Sequence, residues 1–211
     1  MTQQETPADR DDREEIVYPP RPPRANRARD TRRRIQRTAI RLFAERGYDH
    51  VTVEEVARAV GVSHMTVFRH FPAKSALVLY DEYDDILLEI LRTREVATSI
   101  GAMIVEAYRE IIARWRSNDL EFTLTAMRIV LANPGLQGSI WSESIRFQDD
   151  AERILIERFG DELNVYQTRV LLSALSAVVT TGFLAWGTHD GTGDLTALFD
   201  EGIAVLRRDL A

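Results

Sequence analysis

The chain has 211 residues, 45% of them apolar, which is enough to bury a sizeable core in one large or two small domains. It has no cysteine, so disulfides and thiolate metal sites are excluded and a reducing compartment is compatible. The net charge of −6 argues against a nucleic-acid partner until its distribution is seen. Residues 1 to 20 carry two Arg against six acids, residues 21 to 75 thirteen Lys or Arg against five acids, and residues 76 to 211 twelve Arg against twenty-two acids. The segment balances are therefore −4, +8 and −10. A cationic block on an anionic body is what a DNA-reading head on a second, non-DNA domain would show.

Residues 1 to 26 lack periodicity and contain Tyr-Pro-Pro-Arg-Pro-Pro-Arg from Tyr18 to Arg24, so they are expected to form a disordered, partly extended arm. Arg21, Arg24 and Arg27 would either be solvated or reach toward a minor groove or phosphate. No apolar run of the secretory kind occurs in residues 1 to 15, and a cytoplasmic protein is expected. From Ala28 to Arg46, Ile35, Ala39, Leu42 and Phe43 recur at helical spacing, and Gly47 stops the helix. Arg29, Arg32, Arg33 and Arg34 crowd its first turns, where cations oppose the helix dipole, which suggests a phosphate partner.

Thr52 to Phe71 is the most informative stretch. Two short amphipathic runs, Val53 to Val60 and His64 to His70, flank Gly61-Val62-Ser63, the spacing of a helix-turn-helix. Thr52 and Glu55 form a capping box, Gly61 permits the turn, and Ser63 caps the second run. Val56, Ala57, Val60, Val62 and Val67 supply a buried wedge, leaving His64, Met65, Thr66, Arg69 and His70 on the face a major groove would meet. An ordinary helix pair in a bundle is the competing reading. Past Pro72, one long linking helix is expected from Lys74 or Ser75 to about Thr98.

Residues 31 to 79 resemble the DNA-binding domain of TetR-type transcriptional repressors. The resemblance rests on Arg34-Ile35, Ala39, LFAERGY at Leu42 to Tyr48, TVEEVARAVGVS at Thr52 to Ser63, and TVFRHFPAKSAL at Thr66 to Leu77. It implies an all-α fold: a three-helix head, a linking fourth helix, and a helical C-terminal body that binds a small molecule and forms a homodimer. Domains are then expected at 1–26 (arm), 27–75 (head) and 76–211 (body). By the same resemblance His64, Met65 and Arg69 face bases, while Ser63, Thr66, His70 and Lys74 meet phosphate. Thr52 and Phe68 complete the expected DNA-facing set, with tyrosine commoner at Phe68, so a hydroxyl contact to the backbone is missing there. Met65 replaces a usually small residue.

Four further helical stretches follow: from Ser99 or Gly101 to Trp115, from Asp119 to Leu131, from Leu136 to Phe159, and from Asp161 to Trp186 with Gly187 as its stop. Val170 to Thr188 is free of charge and just long enough for a membrane span. Ser173, Ser176, Thr180, Thr181 and Gly182 and the lack of basic flanks favour a buried helix, and no membrane partner is expected. A last helix carries Leu195, Leu198, Phe199, Ile203 and Leu206 on one face. Paired across a two-fold axis, the last two helices would make a four-helix bundle.

Trp115, Phe122, Met127, Trp141, Phe147, Phe183 and Trp186 are either core or the wall of an apolar cavity. Met127 to Asp150 resembles TetR-type bodies associated with fatty acyl-CoA ligands, which implies a lipid-like effector with Arg128 and Arg146 as partners for an anionic head group. The expected pocket set is Trp115, Phe122, Met127, Arg128, Trp141, Arg146 and Phe183. No catalytic or metal-binding constellation and no cofactor are expected: His50, His64, His70 and His189 form no metal spacing, and there is no phosphate-cradling glycine loop or nucleophile elbow. The expected function is a ligand-released repressor on a palindromic operator. A constitutive or architectural DNA-binding protein without an effector is the alternative.

Overall fold

The computed structural model describes residues 23–113 and 117–209, with the side chains of 23–26, 117–119 and 209 left out. Most of the expected arm, Arg21 included, and Trp115 lie outside the described residues. All regular structure among the described residues is helical. The first helix, α1 (Pro23–Arg46), starts five residues earlier than expected, so 23–26 join the helix and not an extended arm. Proline suits a first helical position because the amide it lacks would be unpaired there anyway.

The head closes with α2 (Val53–Val60) and α3 (His64–His70). The capping box forms as read: Glu55 N donates to Thr52 Oγ1 at 3.2 Å and Thr52 N to Glu55 Oε2 at 2.8 Å. Gly61 takes φ +79°, a left-handed conformation that a side chain would strain. Val56, Ala57 and Val67 pack with Ile35, Ala39 and Phe43 of α1 in one buried cluster.

The single linking helix is corrected to two. A short α4 (Ala76–Leu79) is followed by two extended residues, Tyr80 and Asp81, and then α5 (Glu82–Thr93). Ala76, Leu77 and Val78 are buried in the head cluster, so α4 belongs to the head core and the chain breaks five residues beyond Ser75. Gln36 Nε2 donates to the Tyr80 carbonyl at 2.6 Å, replacing a helical bond, and Asp81 accepts from Tyr83 N at 2.9 Å to cap a new helix. Asp81, Glu82, Asp84 and Asp85 then sit in the cap and first turn, where the dipole favours anions.

The body comprises α6 (Ile100–Ala113), α7 (Ser117–Ala132), α8 (Pro134–Phe159), α9 (Val165–Thr188) and α10 (Leu195–Asp209). Its core gathers Leu87, Ile104, Leu155, Leu172 and Phe199. Ile129 and Val130 of α7 and Leu136 of α8 join the head cluster instead, so the two parts share a packed boundary. The start of α9 lies at Val165, later than Asp161, because Asn164 and Gln167 form a second capping box. Nor does Gly187 stop α9. It lies inside the helix where α7 crosses: a Cβ there would stand 2.3 Å from Met127 Cγ. By length and composition α9 could cross a membrane. It packs against α7, α8 and α10, and Ser173 Oγ donates to Gln148 Oε1 at 2.9 Å across the α8 contact.

Candidate nucleic-acid interface and adjoining cavity

Because α3 spends Val67 on the core, its remaining face is open. His64 and Arg69 are exposed, Met65 is 65% exposed and Phe68 39%. His64 and Phe68 stack edge to face at 6.3 Å. Ser63 Oγ accepts from Thr66 N at 3.1 Å and lies 2.9 Å from Thr66 Oγ1, so these two hydroxyls fix one another at the start of α3. Thr52 is likewise held by its cap. Burial, then the Arg32 and Arg69 charges, pushes the His70 imidazole below its ordinary value, so at neutral pH it is uncharged and offers one donor and one acceptor.

Lys74 sits apart from this face. Its Nζ donates to the Tyr48 carbonyl at 2.6 Å and stands 4.2 Å from the Tyr48 ring centroid and 5.6 Å from that of Phe43. Burial lowers its pKa. One of three ammonium protons is therefore committed to bracing the α1–α2 turn.

The arginines at the start of α1, expected to meet phosphate, all have partners within the protein. Arg33 donates to both oxygens of Glu82 at 2.6 and 2.5 Å, and Arg29 approaches Glu82 at 3.6 Å. Arg32 donates to Tyr80 Oη at 2.7 Å and to Asp85 at 3.1 Å, and Tyr80 Oη donates to Asp85 at 2.7 Å. Arg34 donates to the Val60 carbonyl. Burial would raise Glu82, but the Arg33 and Arg29 guanidinium groups outweigh it and hold the carboxyl below the usual range. The acids that begin α5 thus draw the head's cations inward and clamp α1 to the body.

Beside the clamp lies a cavity of about 220 Å³, small against the roughly 300–1,000 Å³ of typical ligand pockets. It is bounded by Arg33, Gln36 and Arg37 of α1, by Tyr80 and Asp81 at the break, by Phe122 and Met127 of α7, and by Val179, Thr180 and Phe183 of α9. Phe122, Met127 and Phe183 come from the expected set. Three others stand outside the cavity: Arg128 pairs with Asp190 at 2.6 Å, Arg146 pairs with Glu143, and Trp141 is 64% exposed. The α1 and α4–α5 lining was missed because α1 was assigned wholly to the head. The acid run from Asp81 to Asp85 was the one available signal. Among the described residues no three His, Cys, Asp or Glu side chains gather as a metal site.

Known proteins carry the same two parts. Residues 35–80 match the family described as bacterial regulatory proteins, tetR family, and residues 98–211 match the MftR C-terminal domain. The transcriptional regulator TcmR of Streptomyces glaucescens is 31% identical over 198 residues, covering 89% of this chain and 87% of that protein. The repressor AcnR of Corynebacterium diphtheriae is 32% identical over 167 residues, covering 72% and 82%. In fold the chain is similar to the Thermus thermophilus repressor FadR, solved with lauroyl-CoA: TM-score 0.53, 22% identity, 85% of this chain and 95% of that one. With a helix-turn-helix head, a matching body and relatives that are transcriptional regulators, the chain belongs to the TetR family of DNA-binding transcriptional regulators.

Proposed function

We propose that the protein is a cytoplasmic, homodimeric repressor that places α3 of each protomer in a major groove of a roughly palindromic operator and is released by a small apolar molecule. The carrying observation is where the cavity lies: its walls include α1 of the head and the Tyr80–Asp81 break, so a ligand there touches the parts that set the head's position. His64, Met65 and Arg69 are the base-facing residues, with Ser63, Thr66, His70, Thr52 and Lys74 around them toward the phosphates and Phe68 as an apolar contact. The second protomer packs on α9 and α10, where Val170, Ala177, Thr181, Ala204 and Val205 are exposed. Two heads so joined read half-sites about 34–36 Å apart, or a multiple of that.

Ligand binding need supply only about 1.4 kcal/mol of coupling to change operator affinity tenfold. A lipid-like anion, suggested by the Met127–Asp150 resemblance, would have to place its charge near Arg37 at the α1 side of the cavity, since Arg128 and Arg146 are paired elsewhere. The test is selection of bound duplexes from a random pool, followed by titration of the selected operator against random DNA at fixed salt. A large affinity ratio supports a specific repressor, and equal affinities support the architectural alternative. Operator affinity that no small molecule alters would leave a constitutive DNA-binding protein.

A further inference from the structure

A second chamber of about 130 Å³ lies behind the first and shares Leu79, Ile140, Val179 and Thr180 with it as a common wall. Its lining differs in kind. Asp84 of α5 and Glu143 of α8 meet there with Tyr108 of α6 and Phe147 of α8, and no basic side chain among the described residues lines it. Asp84 is half-buried, and the charges acting on it from the described residues, Asp81, Asp85 and Glu143, are all negative. Its carboxylate has no hydrogen-bond donor or ion-pair partner among them. Glu143 uses Oε1 for Arg146 and leaves Oε2 unpartnered among the described residues.

A carboxylate partly withdrawn from water without a counter-charge is harder to ionise than one in free solution. Burial first, then the neighbouring acids, holds Asp84 well above the usual carboxylate range, and burial raises Glu143 against the pull of Arg146. Such a pair beside two aromatic rings lacks one thing, a cation. An ammonium satisfies both oxygens by charge-assisted hydrogen bonds and gains from the ring faces. An anionic head group in the same place meets only like charge.

Resting on the effector reading above, we infer that the ligand is an apolar amine whose protonated nitrogen lies between Asp84 and Glu143, beside Tyr108 and Phe147, with its apolar part directed at the Leu79 and Val179 wall toward the first cavity. The chamber sets the charge of the ligand and the first cavity accommodates its bulk. Asp84 is the main recognition residue, because no donor or cation among the described residues competes for it. Glu143 is the secondary one, because Arg146 already holds half of it.

The probes are octylamine, 1-octanol and octanoate, one chain length with three head-group charges, titrated calorimetrically into the full-length protein below their micellar concentrations. Octylamine is expected to bind about tenfold tighter than octanol, as a partly desolvated charge pair would require. Asp84→Asn should remove that preference while leaving octanol binding unchanged, and Glu143→Gln should reduce it partly. Octanol or octanoate binding as tightly as octylamine, or an amine preference that survives in both variants, overturns the proposal. Anion-selective binding would do so while leaving the effector reading standing. Should octylamine bind in the Asp84-dependent way and yet leave operator affinity unmoved, the amine site stands and the effector reading falls. If none of the three binds, the amine proposal falls, and the effector reading is decided separately by the operator titration.

Discussion

Asp81→Asn separates the two jobs of one side chain. Asp81 caps α5 by accepting from Tyr83 N, and an asparagine carbonyl does this as well as a carboxylate. The charge is another matter. Burial, followed by Glu82 and Asp85, pushes the Asp81 carboxyl from its ordinary 3.8 up to about 6 despite that hydrogen bond. The folded state therefore holds a proton that the unfolded chain has released between these two values, and stability falls as pH rises through that window. The penalty is absent well below 3.8 and complete above about 6. At about 1.4 kcal/mol per pH unit of separation, ionised Asp81 costs the fold about 3 kcal/mol at pH 7.5 and about 1 kcal/mol at pH 4.5.

Removing the charge and keeping the cap should thus stabilise the protein by up to about 3 kcal/mol at pH 7.5, with the gain shrinking as the solution is acidified. Urea denaturation of both proteins at several pH values measures it, at one protomer concentration because dimer stability depends on it. A variant less stable than wild type at pH 7.5, or a difference that ignores pH, would refute the reasoning. In the wild type the opposing set is Glu55, Glu82 and His70, all held below their usual values. Their contribution is lost as pH falls through their folded values, the opposite sign to Asp81.

At the head, Arg69→Ala should cost about 1–3 kcal/mol at one operator position and relax its base preference if the guanidinium is bidentate to guanine. Lys74→Ala should weaken binding to all duplexes alike and also lower the melting temperature, because the Tyr48 carbonyl loses a bond worth about 1 kcal/mol. Equal, sequence-blind losses from both substitutions would contradict this division. Tyr80→Phe removes a hydroxyl placed between Arg32 and Asp85. It should destabilise by about 1–2 kcal/mol in denaturant titration, toward the low end for charged partners because both remain partly solvated; wild-type stability would mean the clamp carries no energy. Gly187→Ala forces Met127 aside at a strain of about 1–3 kcal/mol, offset by about 1 kcal/mol of helix propensity. Since Met127 also lines the cavity, ligand affinity should fall with stability; an unchanged unfolding midpoint and affinity would show that α7 yields freely.

The head was legible because its signals are short-range. Thr52 and Glu55 are three residues apart, Gly61 has an intrinsic backbone preference, and Ser63 caps the run that follows it, so each works through neighbours visible in the string. The open face of α3 follows from periodicity once Val67 is taken inward. In the linking segment the apolar spacing ran on past Tyr80, and that pattern hid a break for which Asp81-Glu82-Tyr83-Asp84-Asp85 was itself the helix-start signal. The aromatic residues of the body divided in a way no local pattern announces: Phe122 and Phe183 face the cavity, whereas Trp141 faces outward.

What the amino-acid string determined by itself is an all-helical chain with a helix-turn-helix head, its caps and the exposed face of α3, since these arise from interactions within a few residues. Tertiary structure alone decided that Arg29, Arg32 and Arg33 pair with Tyr80, Glu82 and Asp85, that the link breaks at Tyr80, and that acids collect behind an apolar cavity. Those outcomes rest on Gln36–Tyr80, Arg32–Tyr80, Arg33–Glu82 and Arg32–Asp85 contacts spanning 44 to 53 residues. Which cation meets which carboxylate across such distances is set by how helices pack, and helical periodicity carries no record of it.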